Sequence, residues 1–215
     1  SCKHESPGNS GMPDLHEQDL TPPADPLFKK LPASETGADF KNTLQDDWNI
    51  NYVLYPYLYN SGGVGVIDVN NDGMQDLFFT STVGSCKLYL NKGGFHFEEI
   101  ASKAGVEAKE GIKTGISVAD VNGDGWQDIY LCRTGFGNGI PMRKLLFINN
   151  KDNTFTEKAH EYGLDADGPT TSATFFDYAL DGDLDVFLVN HPVDFASVNN
   201  VDLKPNADGT VSRNT

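Results

Sequence analysis

Three nine-residue stretches, "DVNNDGMQD" (68–76), "DVNGDGWQD" (120–128) and "DYALDGDLD" (177–185), repeat the pattern D-x-x-x-D-G-x-x-D at intervals of 52 and 57 residues. Each crowds acidic side chains into a short segment framed by apolar runs. Recurrence at such a period means that the chain folds as consecutive copies of one supersecondary unit, each burying an apolar face that it cannot bury alone.

Other signals keep the same period. "FKKLPASETGA" (28–38), "FEEIASKAGV" (97–106) and "FTEKAHEYGL" (155–164) share an aromatic start and a Gly-apolar end. "KLYLNKGGFHF" (87–97) and "KLLFINNKDNTF" (144–155) share an apolar run, an Asn, a turn and a Phe. One unit therefore parses into four short strands: "GVGVIDV" (63–69), "DLFFTS" (76–81), "KLYLN" (87–91) and "FHFEEI" (95–100). Val, Ile, Phe and Tyr between Gly/Asn/Asp turns favour strands, and helix is expected only as short turns near 101–105 and 158–163. The acidic nonapeptide joins strand one to strand two. Four strands in about 50 residues suit a blade of a β-propeller; a β-solenoid would repeat at a shorter period. The fold class expected is thus all-β, a β-propeller of four-stranded blades. Small residues recur in the innermost strand, Gly63, Gly115 and Ser172, then Gly65, Ser117 and Thr174, as crowding near an axis requires. Residues 1–27 read as a polar, Pro-rich flexible tether. Residues 28–62 are expected to hold a ring-closing outer strand and an aromatic insertion. Residues 63–215 hold two complete blades and part of a third. Two blades cannot close a ring, so the expectation is an N-terminal part of a longer propeller.

The acidic loops have the donor set of a calcium site. Ca²⁺ takes about 6–8 oxygen ligands and offsets the repulsion of crowded carboxylates, while Mg²⁺ keeps several waters and all-oxygen sites disfavour Zn²⁺ and Cu²⁺. Positions one, three and five of a turning loop face inward, a glycine at six permits the turn, seven offers its carbonyl and nine closes the cage. The candidates are Asp68, Asn70, Asp72, the Met74 carbonyl and Asp76 in the first loop. In the second they are Asp120, Asn122, Asp124, the Trp126 carbonyl and Asp128. The third offers Asp177, Asp181, the Asp183 carbonyl and Asp185, but Ala179 at position three has no side-chain oxygen, so that site is expected to be weaker. An EF-hand would need an acid at position twelve; Phe79, Leu131 and Leu188 stand there.

"GVGVIDVNNDGMQDLFFTS", "GISVADVNGDGWQDIYLC" and "ATFFDYALDGDLDVFLV" resemble FG-GAP/VCBS-type repeats, the calcium-bearing blades of integrin α-like propellers. With the continuation "LYLNKGGFHFEEIASKAGV", residues 28–195 resemble surface lipoproteins of Bacteroidota that often carry a C-terminal ASPIC/UnbV domain. The resemblance implies a ring of about seven blades whose calcium loops are structural. It is specific for fold and metal and weak for ligand.

A net charge of −15 without clustered Lys and Arg argues against nucleic acid as a partner, and no run of about 18 apolar residues suggests a spanning helix. Ser1-Cys2, followed by Lys3-His4-Glu5, is expected to be the stub of a lipoprotein cleavage site, with Cys2 carrying the lipid at the outer membrane and the chain displayed at the cell surface. Cys86 and Cys132 could pair if their Cα atoms come close enough. No G-x-S-x-G, H-E-x-x-H, P-loop or C-x-x-C occurs, and His191 with Asn190 and Asp194 reads as a structural hydrogen-bonding group. In "WNINYVLYPYLYN" (48–60) the alternation of Tyr55, Tyr57 and Tyr59 would put three rings on one face of a strand, available for core packing or for stacking on a sugar. The function expected is a non-enzymatic, calcium-binding surface module for a glycan or protein ligand, within an outer-membrane transporter complex for uptake. A calcium-dependent polysaccharide lyase is the alternative, and it would need a Lys, Arg or His base beside a loop.

Overall fold

The computed structural model describes residues 26–215 except 46, 49, 54, 61, 136–138, 192–202, 206–210 and 214–215, with backbone alone for 203–205 and 211–213. Cys2 and nearly all of the expected tether lie outside the described residues. Residues 26–30 are exposed and irregular.

Strands β1 (Val64–Ile67), β2 (Asp76–Phe79), β3 (Lys87–Asn91) and β4 (Phe97–Glu99) form an antiparallel sheet in sequence order. The next unit repeats it with β5 (Ile112–Ala119), β6 (Asp128–Thr134), β7 (Leu145–Asn149) and β8 (Phe155–Glu157). A third begins with β9 (Thr170–Phe176) paired to β10 (Asp185–Asn190), and β11 (Leu203–Pro205) pairs separately with β12 (Val211–Arg213). The protein is all-β, built of four-stranded antiparallel sheets of the propeller-blade type, and the described sheets do not close a ring. All four strands expected for the first unit are present.

Burial shows how the blades stack. Every residue of β6 is buried. Ile129 and Leu131 enter one core with Ile67, Phe78, Leu88 and Leu90 of the first blade. Tyr130 and Cys132, pointing the other way, enter a second core with Ala173 and against Val186 and Leu188 of the third. A strand covered on both faces is expected to be apolar without alternation, and "IYLC" (129–132) is. The two flanking blades bury one face each: β2 alternates between buried and half-buried positions, and Phe187 and Val189 of β10 are exposed. Cys86 and Cys132 sit in these different cores and are free thiols.

The small residues of the inner strands lie where one blade meets the next. A Cβ on Gly65 would stand 2.7 Å from the Ile116 side chain, and one on Gly115 would stand 2.5 Å from the Thr171 carbonyl oxygen. Hydroxyls cross the same seams: Thr80 donates to the Thr114 carbonyl (3.2 Å), Thr114 to the Thr170 carbonyl (2.7 Å) and Ser117 to the Ala173 carbonyl.

The recurrent Gly-apolar signal marks a helical turn after strand four. It forms α2 (Ala101–Ala104), ended by Gly105 in the left-handed region. In the earliest copy it forms α1 (Ala33–Thr36), and no strand is present among the described residues of 28–62. The segment that follows α1 lies on the open face of the first blade: Tyr89 donates its hydroxyl to Asp39 (3.0 Å), Phe40 stacks on Phe79 at 5.0 Å, and Asn42 bonds the side chain and amide of Thr82.

Candidate functional site

The acidic loops adopt one hydrogen-bond scheme. In the first, the Asp72 amide donates to both Asp68 Oδ1 (3.1 Å) and Asn70 Oδ1 (3.3 Å). The Gly73 amide donates to Asp68 Oδ2 (2.9 Å), the Met74 amide to Asp72 Oδ1 (2.8 Å), and Asn70 Nδ2 to Asp72 Oδ2 (2.8 Å). The second loop reproduces every one of these bonds through Asp120, Asn122, Asp124, Gly125 and Trp126. The oxygens at positions one and three therefore face one point, beside the carboxylate at five. Gly73, Gly125 and Gly182 have φ of 81°, 84° and 94°, and nothing lies within 4 Å of a Cβ at any of them. The turn's handedness, not crowding, selects glycine there.

Position nine does something the sequence did not suggest. Asp76 is buried, and its two oxygens accept the Val69 amide (2.8 Å) and the Asn91 amide (2.7 Å). Asp128 likewise takes the amides of Val121 (3.1 Å) and Asn149 (2.9 Å). Each carboxylate ties the start of its loop to the end of strand three. Burial pushes the Asp128 carboxyl above its ordinary range, against the pull of the Asn149 and Val121 amides. A carboxylate has about four lone-pair sites, so two amides leave room for a cation on the outer side.

Consecutive loops also touch. Asn71 Nδ2 donates to the Gly125 carbonyl (2.9 Å), the Asp68 amide to Gln127 Oε1 (2.8 Å), and Asn149 Nδ2 to the Val69 carbonyl (2.8 Å). Lys151 lies 3.3 Å from Asp124 Oδ2. The third loop keeps the bonds from the Asp181 and Gly182 amides to Asp177. It departs twice: Ala179 stands at position three, and Leu180 at position four has φ 58°, where the other loops use Asn71 (55°) and Gly123 (69°). A branched, exposed leucine in the left-handed region is strained. Among the described residues, no three His, Cys, Asp or Glu side chains stand together closely enough to hold a metal ion. The three carboxylates expected to share each cage are not gathered as such a group, so a calcium site here would have to draw on Asn70 or Asn122 and a backbone carbonyl as well as carboxylates.

The tyrosine row is not a strand. Residues 55–60 form a turn and a 3-10 helix, Leu58–Asn60. Tyr55 is buried with Leu58 and Ile112, whereas Tyr57 and Tyr59 are about half exposed. A one-face row fails because Pro56 and the turn rotate successive side chains away from strand alternation. Tyr55 and Tyr57 meet edge-on at 6.0 Å, and His191 sits 5.7 and 6.2 Å from their rings with Nε2 2.6 Å from the Thr134 hydroxyl. His191 thus joins the third blade to the insertion; Asp194 lies outside the described residues.

At the end of the second blade opposite its acidic loop, Lys113, Arg133 and Lys144 are buried. Lys113 Nζ donates to the Gly111 carbonyl (3.1 Å), Lys144 Nζ to the Gly168 carbonyl (2.6 Å) and Arg133 Nε to the Arg143 carbonyl. None forms an ion pair within the described residues. Burial holds the Lys113 ammonium down to about 8, aided by nearby Arg133 and opposed by Cys86. The folded state therefore binds fewer protons than the unfolded one from about pH 8 to about pH 10.4, and stability should rise with pH across that window. Lys113→Met is expected to stabilise the protein at pH 7 by about 1–3 kcal/mol, since each unit by which the ammonium is depressed costs about 1.4 kcal/mol there, with the gain shrinking towards pH 10. Urea midpoints of both proteins at the two pH values check this, and a pH-independent difference would refute it.

Residues 68–131, from the first acidic loop through β6, match the FG-GAP-like repeat family. Cartilage acidic protein 1 of Xenopus tropicalis is 30% identical over 133 residues. That match covers 61% of this chain and spans only 20% of the relative's length.

Proposed function

We propose that the chain is a calcium-stabilised β-propeller binding module that presents a glycan- or protein-binding face at the end of the blades away from the acidic loops. One observation carries this reading: consecutive loops repeat a single hydrogen-bond scheme while each sits in the same place in its blade. Asp68, Asn70, Asp72 and Asp76 would hold the first ion with the Met74 carbonyl, and Asp120, Asn122, Asp124 and Asp128 the second with that of Trp126. Asp177, Asp181, Asp183 and Asp185 would form a weaker third site. Bound calcium would screen the carboxylates and fix the turn. The residues and their bonds to the β-ladders make this a structural role. Surface display through a lipidated Cys2 belongs to the same proposal and rests on residues outside those described.

The exposed insertion supports a binding role, since aromatic side chains concentrated on a surface mark interaction sites. Trp48, Tyr52, Tyr57 and Tyr59 all stand open to solvent. The lyase alternative needs a base near a loop. Lys151 is the relevant group, and its pairing with Asp124 gives it a neutralising role instead.

Calcium at about one hundred times its Kd adds about 2.7 kcal/mol per site, a rise in Tm of about 5–10 °C for a chain of this size. Melting curves in calcium and in EGTA are expected to differ by at least that much, and Asp120→Ala should reduce the difference. Coincident curves would sink the calcium reading.

A further inference from the structure

A cleft of about 210 Å³ opens among the inner strands, lined by Tyr55, Tyr57, Asn60, Gly62, Thr114, Gly115 and Thr171. Its position follows from the ladders. Ala119 and Asp128 flank the acidic loop of the second blade, whereas Ile112 pairs with Thr134 at the opposite end. Thr114 and Gly115 are near that opposite end, as Thr171 is in the third blade.

The strands are irregular at just these residues. In β5 the register passes from Lys113↔Arg133 to Ile116↔Leu131, which takes Thr114 and Gly115 out of the β5–β6 pairing. In β9 it passes from Thr170↔Asn190 to Ser172↔Val189, which takes out Thr171. Bulges beside sites re-aim side chains and end pairing. Here two blades bulge in register towards one cleft. The Thr114 and Thr171 hydroxyls donate to the Thr170 and Val189 carbonyls, and each oxygen keeps lone pairs that can accept from a ligand.

The lining specifies a chemistry. None of its seven residues is charged, although the chain as a whole carries −15. Tyr57 supplies a half-exposed aromatic wall. Asn60 supplies an amide that both donates and accepts, and the threonines supply hydroxyls. The volume lies below the roughly 300–1,000 Å³ of sites for drug-sized ligands, so it suits a single ring. An apolar wall facing neutral donors and acceptors matches a sugar, whose C–H face stacks while its hydroxyls bond. Among the described lining residues there is no cation for a carboxylate or sulfate to pair with.

We propose that this cleft is the subsite for one neutral pyranose ring of a glycan, stacked on Tyr57 and hydrogen-bonded by Asn60, Thr114 and Thr171. The proposal rests on the binding-module reading above and makes it specific. Gly115 is part of the site because its missing side chain lets the Thr171 backbone approach and leaves the cleft open.

The test applies saturation-transfer NMR to the full-length protein. The probes are glucose, galactose, mannose, fucose and N-acetylglucosamine, with glucuronate and galacturonate beside them, and a glycan array is run in parallel. A neutral sugar is expected to give transfer, weakened at least tenfold by Tyr57→Ala and by Asn60→Ala, with Tyr57→Phe retaining it and every variant still unfolding cooperatively. Tyr57 and Asn60 are at the surface, so the variants should fold. Neutral-sugar binding indifferent to both alanine variants would overturn this site and leave the glycan reading standing. Binding of the uronates alone would overturn the neutral specificity and hence the proposal. Silence across the probes and the array, with a protein or peptide captured instead, would remove the glycan reading itself.

Discussion

Asp128→Ala is expected to lower the unfolding free energy by about 1–4 kcal/mol, because the buried Asn149 amide loses its acceptor at about 1–3 kcal/mol and the partly buried Val121 amide loses one at a smaller cost. The loss should persist in EGTA, since those bonds need no metal. Asp120→Ala makes the contrast. Its carboxylate bonds the Asp124 and Gly125 amides in an exposed loop, where water replaces it and the cost without calcium is about 1 kcal/mol. Denaturant titration of the two variants with and without calcium separates the roles. Asp128 should matter in both conditions, and Asp120 chiefly when calcium is present. Equal sensitivity of the two in EGTA would mean that position nine is not the anchor described.

Gly115→Val should cost about 1–3 kcal/mol, the range for overpacking. The side chain would enter where the Thr171 oxygen lies 2.5 Å and the Ser172 Cα 3.1 Å from a Cβ. Both obstacles are backbone, so no rotamer change relieves them, and β9 must move away from β5. Gly123→Ala is the control. That residue needs φ of 69° but faces open space, so its cost is conformational, about 1–2 kcal/mol, and confined to the loop. Hydrogen exchange distinguishes the two: Gly115→Val should speed exchange in β9 and β10, Gly123→Ala only around 120–126. Unchanged protection of β9 in the valine variant would refute the seam as drawn.

Much of this architecture was legible because period and alternation are properties of single residues. The three acidic loops, the four strands per unit and the small residues of the inner strands each follow from a local rule repeated. The helical turn at 101–104 was legible too, since its glycine recurs. What escaped was set by partners distant in sequence. Asp76 and Asp128 read as ligands like their neighbours, and only the fold shows that strand three brings an amide to each. Lys113 and Lys144 look like surface lysines, because nothing local announces that the surrounding fold will bury them. The tyrosines were misread as a strand since alternation was weighed above the turn that Pro56 imposes. One missed signal was available: Thr114 and Thr171 are 57 residues apart, the spacing of Asp120 and Asp177, which is enough to mark a repeated bulge.

The hydroxyl bonds across the seams span 34 residues from Thr80 to Thr114 and 56 from Thr114 to Thr170 or from Ser117 to Ala173. Among the described residues, these two seams therefore close without waiting for a distant part of the chain. A ribosome adding about 5–20 residues per second delivers one blade in several seconds, whereas a hairpin closes in about 1–10 μs. Each sheet can form and dock on its predecessor while the next is still inside the exit tunnel. During synthesis the growing end shows a single unfinished face, small on its innermost strand but carrying apolar side chains such as Phe187 and Val189 farther out.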